Sequence, residues 1–220
     1  IVSNPPYSTK WVGDDNPLLI NDPRYAPAGV LAPKGYSDLA FTMHMLSWLS
    51  TEGTAAIVEF PGVLYRGRAE QKIRKYLIDN NYVDTVIQLP PNLFFGVGIA
   101  TCIIVLKKSK RENKTLFIDA SQLFVHEGNK NKLSPDNIAA IIAEYADRKE
   151  VKHFSALVDN KTIADNGYNL SVSSYVEAED TRPQTDIKEL NARIARIVEH
   201  ENKLRTEINA IINELEAETL

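Results

Sequence analysis

Val83-Asp84-Thr85-Val86-Ile87-Gln88-Leu89-Pro90-Pro91 and, after the loop 91–98, Ala100-Thr101-Cys102-Ile103-Ile104-Val105-Leu106 are two strand-like runs standing close together. The proline pair stops the first, because proline has no N–H to give to a ladder. The second is apolar throughout, as a strand in the middle of a sheet is. A loop this short has no room for a helical crossover, so the second strand is expected to return antiparallel to the first.

Working outward, the periodicity alternates between strand and helix. Thr54-Ala55-Ala56-Ile57-Val58-Glu59-Phe60 reads as a buried strand ended by Pro61. Residues 68–79 form an amphipathic helix, with Ile73 and Leu77 inward and Arg68, Lys72, Arg74 and Lys75 outward. Ser37 and Asp38 open an earlier helix in which Leu39, Met43, Leu46 and Leu49 keep helical spacing and Gly53 gives the stop. On the carboxyl side, residues 107–114 form a charged turn and 115–119 a short strand. This order predicts an α/β sheet built from crossovers, mostly parallel with one antiparallel strand.

At the amino end, Ile1 and Val2 begin a strand that runs into Asn4-Pro5-Pro6-Tyr7. Asn4 precedes a proline and is pushed toward extended backbone, while Pro5 and Pro6 have fixed φ and no N–H. A stiff pair of acceptors results, the Asn4 side-chain oxygen and the Pro5 carbonyl, with the Tyr7 ring beside them. The pair fits a flat amino group that is to be made nucleophilic; a proline turn carrying an exposed tyrosine is the plainer alternative. Residues 8–37, broken by Pro17, Pro23, Pro27 and Pro33, are either a mobile loop or a lid over a substrate.

Composition narrows the classes. With 220 residues, 44% hydrophobic and 25% charged, the chain has room for one large domain, or a medium one with an appendage. A net charge of −4 excludes binding to nucleic acid by bulk charge, so a local basic surface or a partner would have to meet phosphates. Arg66, Arg68 and Lys72, with Arg74 and Lys75, are candidates for that surface, or else a solvated helix face. The single cysteine, Cys102, lies in an apolar run and suits a reducing, cytosolic setting. No stretch is long enough to span a bilayer, and no signal peptide is expected. The histidines at 44, 126, 153 and 200 have no metal-ligand spacing. Gly96-Val97-Gly98 precedes a strand rather than a helix and reads as a turn.

Beyond residue 120, Ser134-Pro135 starts a helix whose apolar face is Ile138, Ile141, Ile142 and Tyr145. Residues 151–176 read as short extended pieces and turns, with Asn166-Gly167-Tyr168-Asn169-Leu170 a turn-rich element of no evident role. Ile187, Leu190, Ile194, Ile197, Leu204, Ile208, Ile211 and Leu215 then fall on alternating three- and four-residue steps, broken only at Glu201. This is a heptad seam on a helix on the order of 40 Å long, started by Pro183 and Asp186, and it calls for a partner.

Asn4-Pro5-Pro6-Tyr7 after a strand resembles the catalytic motif of S-adenosylmethionine-dependent amino-methyltransferases, above all those acting on adenine N6 in DNA. Five further features extend the likeness: Ser37-Asp38-Leu39-Ala40-Phe41, the strand at 54–60, Arg74 within Lys72-Ile73-Arg74-Lys75-Tyr76-Leu77, Val86-Ile87-Gln88-Leu89-Pro90 followed by Leu93-Phe94, and the heptad helix. Together they resemble the modification (M) subunit of type I restriction-modification systems over nearly the whole chain.

The resemblance implies a Rossmann-like sheet. Residues 1–120 would be the carboxyl-terminal half of a catalytic domain, 121–182 an α/β extension, and 183–220 a docking helix. It implies S-adenosylmethionine as cofactor, and double-stranded DNA as substrate with the target adenine flipped out. Asn4 and the Pro5 carbonyl would accept the amine hydrogens on the elbow that Pro6 stiffens, Tyr7 would stack on the base, and Phe94 would pack against it. The implied partners are a specificity (S) subunit docked through 187–215, a second M subunit and a restriction subunit, in the cytoplasm. The family's glycine-rich cofactor loop lies upstream of the elbow and is absent here, so the cofactor-binding residues are unknown. The chain is expected to be a carboxyl-terminal portion, inactive alone. Methyltransferases of protein glutamine or RNA amines share the elbow and stay open as alternatives, as does a non-catalytic assembly module.

Overall fold

Strands β1 (Val2–Ser3), β2 (Thr54–Glu59), β3 (Val83–Gln88), β4 (Cys102–Lys107), β5 (Lys114–Asp119) and β8 (Ser155–Asp159) form a six-stranded sheet in the order β1-β2-β4-β3-β5-β8. A separate hairpin is made by β6 (Val125–Glu127) and β7 (Lys130–Lys132). The helices are α1 (Asp38–Trp48), α2 (Ala69–Asp79), α3 (Pro135–Asp147), α4 (Asn160–Asp165) and α5 (Ile187–Ala217). This computed structural model describes residues 1–179 and 186–217. It divides into one unit of residues 1–179 and a second that contains α5.

β1 and β2 are parallel, as are β3 and β5. β4 enters between β2 and β3 and runs against both, the reversal expected from the short 91–98 loop. Within the first 120 residues β4 is the reversed strand. β8, drawn from the stretch read as extended pieces and turns, adds a second by pairing antiparallel with β5 at the far edge. Because β3 opposes β4 and β4 opposes β2, strands β1, β2, β3 and β5 all point the same way. Their carboxyl ends therefore share one edge of the sheet, where open α/β folds bind ligands.

Alternation sorts the sheet into two faces. Ala55 and Ile57 of β2, with Ile104 and Phe117, pack under α1 and α2 through Leu39, Met43, Leu46, Ile73 and Leu77. Ile87, Leu89, Leu116 and Ile118 pack on the opposite side with Ile141 of α3. Capping sets the start of α3: the Ser134 hydroxyl accepts from the Asn137 amide at 3.2 Å, and the Asn137 side chain accepts from the Ser134 amide at 3.0 Å. Of its expected apolar face only Ile141 is buried. Ile138 and Ile142 are exposed beside an apolar groove of about 340 Å³ floored by Ala56, Ile103 and Val105.

The connection 8–37 is tied together by its own backbone. Trp11 N–H donates to the Lys34 carbonyl at 3.0 Å, and Ser37 N–H to the Thr9 carbonyl at 3.0 Å. The Trp11 indole donates to the Pro33 carbonyl at 3.1 Å. Gly13 has φ +51°, and a Cβ there would come within 2.7 Å of Lys34 Cγ, so the close approach of the two arms requires glycine.

Arg74 corrects the reading of α2 as basic on its outer face: it is 2% exposed. Its Nε donates to the Tyr168 carbonyl at 2.8 Å and its Nη1 to the Val63 carbonyl at 2.9 Å. Gln71 reaches the Gly167 carbonyl at 2.9 Å, and Leu170 N–H donates to the Leu64 carbonyl at 2.8 Å. The turn-rich 166–170 element is thus a clasp over α2, and the arginine faces inward because the clasp supplies carbonyls for it.

Asp186 immediately precedes α5, and its carboxylate accepts from the Lys188 amide at 2.8 Å; Pro183 lies outside the described residues. At about 1.5 Å per residue its 31 residues run roughly 46 Å. The apolar positions of its seam, from Ile187 to Leu215, are exposed. No described helix is long and apolar enough to cross a membrane.

Replacing Arg74 by methionine keeps the bulk but leaves a buried carbonyl, that of Val63, and a partly buried one, that of Tyr168, without these donors. R74M should lower the unfolding free energy by about 2–5 kcal/mol, read from urea denaturation of the chain. An unchanged midpoint would show that the clasp does not depend on the guanidinium.

Candidate active site

The elbow sits on the edge where the parallel strands end. β1 is held by register, Val2 opposite Ala56 and Ser3 opposite Ile57, and the chain then turns at the prolines. Asn4 is exposed, Pro5 buried, Pro6 exposed and Tyr7 half-buried. The Tyr7 hydroxyl donates to Asn4 Oδ1 at 2.8 Å, so these two predicted residues meet directly. The Pro6 carbonyl accepts from Thr9 Oγ1 at 3.4 Å. The Pro5 carbonyl accepts no hydrogen bond from any described residue. After the elbow, Ser8 takes φ 50°, unusual for a residue with a Cβ, and its amide donates to Asp38 Oδ1 at 2.7 Å.

Below the elbow lie acids that the reading of the sequence did not single out. Glu59, the last residue of β2, is 0% exposed, and so is Asp38. Glu59 Oε1 accepts from Thr42 Oγ1 at 2.7 Å. Glu59 Oε2 and Asp38 Oδ2 are buried with no hydrogen-bond partner among the described residues. Burial, reinforced by the charges of Asp38 and Glu70, pushes the Glu59 carboxyl up to about 8, although the Thr42 hydrogen bond works the other way. Burial and the nearby Glu59 charge likewise raise the Tyr7 phenol and the Cys102 thiol. Cys102 Sγ lies 3.5 Å from the Glu59 carbonyl. One sign was present in the sequence: Glu59 interrupts an otherwise apolar strand at a position that alternation places on the same face as Ala55 and Ile57.

The other candidates fare differently. The loop after β3 stands on the same edge as the elbow, as expected. Phe94 is half-buried against the core cluster of Ile87 and Leu89, whereas Phe95 is 94% exposed, with Lys130 Nζ over its ring at 4.5 Å. Arg66 is engaged locally: its guanidinium lies 4.2 Å from the Tyr36 ring centroid and 5.1 Å from that of Phe60, and Nη1 is 3.7 Å from Glu70 Oε1. Arg68 and Lys72 are exposed at the amino end of α2. Gly96 has φ +73°, the left-handed backbone that the 96–98 turn asks of glycine, and a Cβ there would meet nothing within 4 Å.

The family model for N-6 DNA Methylase matches residues 1–184. The Type I restriction enzyme MpnII methylase subunit of Mycoplasma pneumoniae is 48% identical over 219 residues, which are 99% of this chain and 40% of that relative. The MjaVIII methylase subunit of Methanocaldococcus jannaschii is 33% identical over 213 residues, 94% of this chain and 35% of that relative. Among solved structures, the type I restriction-modification system methyltransferase subunit from Streptococcus thermophilus matches with a TM-score of 0.77 at 41% identity, over 80% of this chain and 37% of that one. The chain spans about 40% of the length of these relatives.

Glu59 also sets a pH dependence. Its carboxyl moves from an ordinary 4.5 to about 8 in the fold, so the folded state holds this proton more tightly than the unfolded chain. The resulting stabilisation is complete below 4.5 and is lost as pH rises toward about 8. Urea titrations across that window should show wild-type stability falling with pH and E59Q falling less. Parallel profiles would contradict the assignment.

Proposed function

The chain belongs to the N-6 DNA methylase family, and from that premise we propose that it carries the methyl-accepting half of an adenine-N6 DNA methyltransferase of the type I restriction-modification kind. The observation that carries this reading is the elbow: an exposed Asn4 oxygen positioned by Tyr7, beside a Pro5 carbonyl that no described group uses. An adenine turned out of the duplex would donate one N–H to each. Its exocyclic nitrogen is a poor nucleophile because the lone pair is delocalised into the ring. Two fixed carbonyl dipoles favour the positive charge that grows on nitrogen as the bond to carbon forms, and they aim the lone pair at the incoming methyl. One amine proton would then pass to solvent. Tyr7 would cover one face of the base, a contact worth roughly 1–3 kcal/mol. The aromatic pair Phe94 and Phe95 on the neighbouring loop is available for the other, with Phe95 the freer ring.

S-adenosylmethionine is the donor proposed, and it would supply an electrophilic methyl on sulfonium. Duplex DNA would be met through Arg68 and Lys72 as phosphate contacts, with Arg66 held back by its aromatic and carboxylate neighbours. The seam of α5 is proposed to dock the specificity subunit in a cytoplasmic complex that also contains a second M subunit and receives the restriction subunit.

In the assembled methyltransferase, N4A should lower the methylation rate by roughly 10²–10³-fold with subunit assembly and DNA binding retained. Normal turnover would remove the catalytic reading. Separately, I197D combined with I208D on α5 should abolish co-purification of the specificity subunit while leaving the circular dichroism of the rest unchanged. Retained co-purification would reassign the docking surface.

A further inference from the structure

We propose that Asp38 and Glu59 form a carboxylate–carboxylic acid couple, holding one proton between them, that positions the Asn4–Tyr7 elbow. The proposal rests on the methyl-transfer reading of that elbow and adds two positioning residues that touch neither base nor donor. Three observations support it. The Ser8 amide, immediately after Tyr7, donates to Asp38 Oδ1 at 2.7 Å, and Ser8 sits at φ 50°, a conformation that has to be held from outside. Thr42, one helical turn beyond Asp38 and on the same face of α1, donates to Glu59 Oε1 at 2.7 Å, which brings the Glu59 carboxyl against that face. The second oxygen of each acid, Asp38 Oδ2 and Glu59 Oε2, is buried without a hydrogen-bond partner.

Two ionised carboxylates cannot share such a site without a cation. Among the described residues neither acid has an ion-pair partner, and no cluster has the makings of a metal site. A proton on Glu59 removes one of the two charges, and in the couple proposed Glu59 Oε2–H is the donor and Asp38 Oδ2 the acceptor.

The surroundings agree with the couple holding a proton. Glu70 of α2 adds negative charge, partly offset by Arg66 and Arg74. From β4 comes the Cys102 thiol, and from the elbow the Tyr7 phenol, both themselves raised and therefore neutral. Loss of the proton would set two carboxylates against each other, swing Asp38 away from Ser8 and release the carboxyl-terminal arm of the elbow. The Asn4 and Pro5 oxygens would then lose their alignment with the amine, and misplacement of this kind costs up to roughly 100-fold in rate.

The test compares wild type, E59Q and N4A. In the assembled methyltransferase, wild-type kcat should fall on the alkaline side with an apparent pKa of about 8. E59Q, whose amide donates to Asp38 at every pH, should match wild type near neutrality within about twofold and lose the alkaline fall, with KM for DNA unmoved. Hydrogen exchange at the Ser8 amide, measured on the chain itself and corrected for intrinsic base catalysis, should show protection falling with the same pKa in wild type and not in E59Q. The couple is refuted if E59Q keeps the wild-type alkaline limb, or if Ser8 protection is insensitive to pH. N4A separates the two levels: normal turnover there overturns the methyl-transfer reading, while the Ser8 exchange still judges the couple.

Discussion

The Ser8 amide donates to Asp38 at 2.7 Å, while Val2 and Ser3 pair with Ala56 and Ile57. Between these two fixed points stand only Asn4, Pro5, Pro6 and Tyr7. Two of the four are prolines with φ already set, so the segment loses little freedom on folding and the structure has little left to specify. The Tyr7–Asn4 hydrogen bond takes up one of the remaining degrees of freedom. A site that works by aiming two oxygens requires such over-determination, because its chemistry uses alignment and fixed dipoles. The short length of β1 is then no weakness: two paired residues suffice when the far side of the turn is bound to a buried acid on α1.

What could be read from the sequence follows how local each signal is. The reversal of β4 was legible because a short loop leaves only one topology, and the elbow because prolines act on their own neighbours. α1, α2 and α3 announced themselves through spacing and caps. Arg74 misled, since outward placement is the default for arginine on an amphipathic helix, and the carbonyls that overturn it come from residues 63 and 168. β8 was read only as one of the short extended pieces of 151–176, without a place in the sheet, for a similar reason. Ser155-Ala156-Leu157-Val158-Asp159 has little pattern of its own and becomes a strand through pairing with β5. Asp38 read as a helix opener. Its bond to Ser8 spans thirty residues of irregular chain, and no spacing rule reaches that far.

The two faces of the sheet are covered unequally. α1 and α2 seal one of them with fully buried side chains such as Leu39, Ile73 and Leu77. The other is covered by α3 mainly through Ile141, with Ile138 and Ile142 left at the rim of an apolar groove. The polar edge lies on the sealed side: Glu59 projects among α1 and α2, where exclusion of water makes a single proton consequential. The same exclusion explains Arg74, which is satisfied by carbonyls and has its own proton affinity lowered to about 10 by burial.

Tyr7 joins these levels. Its hydroxyl is the donor that orients Asn4, and it can serve only while protonated. Burial and the Glu59 charge both raise its pKa, so the phenol stays a donor across the range in which an amine would be methylated. A carbonyl oxygen has two acceptor positions; with one given to Tyr7, Asn4 Oδ1 keeps the other, the one the proposed function assigns to a substrate N–H. The acids beneath the elbow therefore act through Ser8, holding the backbone that carries the tyrosine.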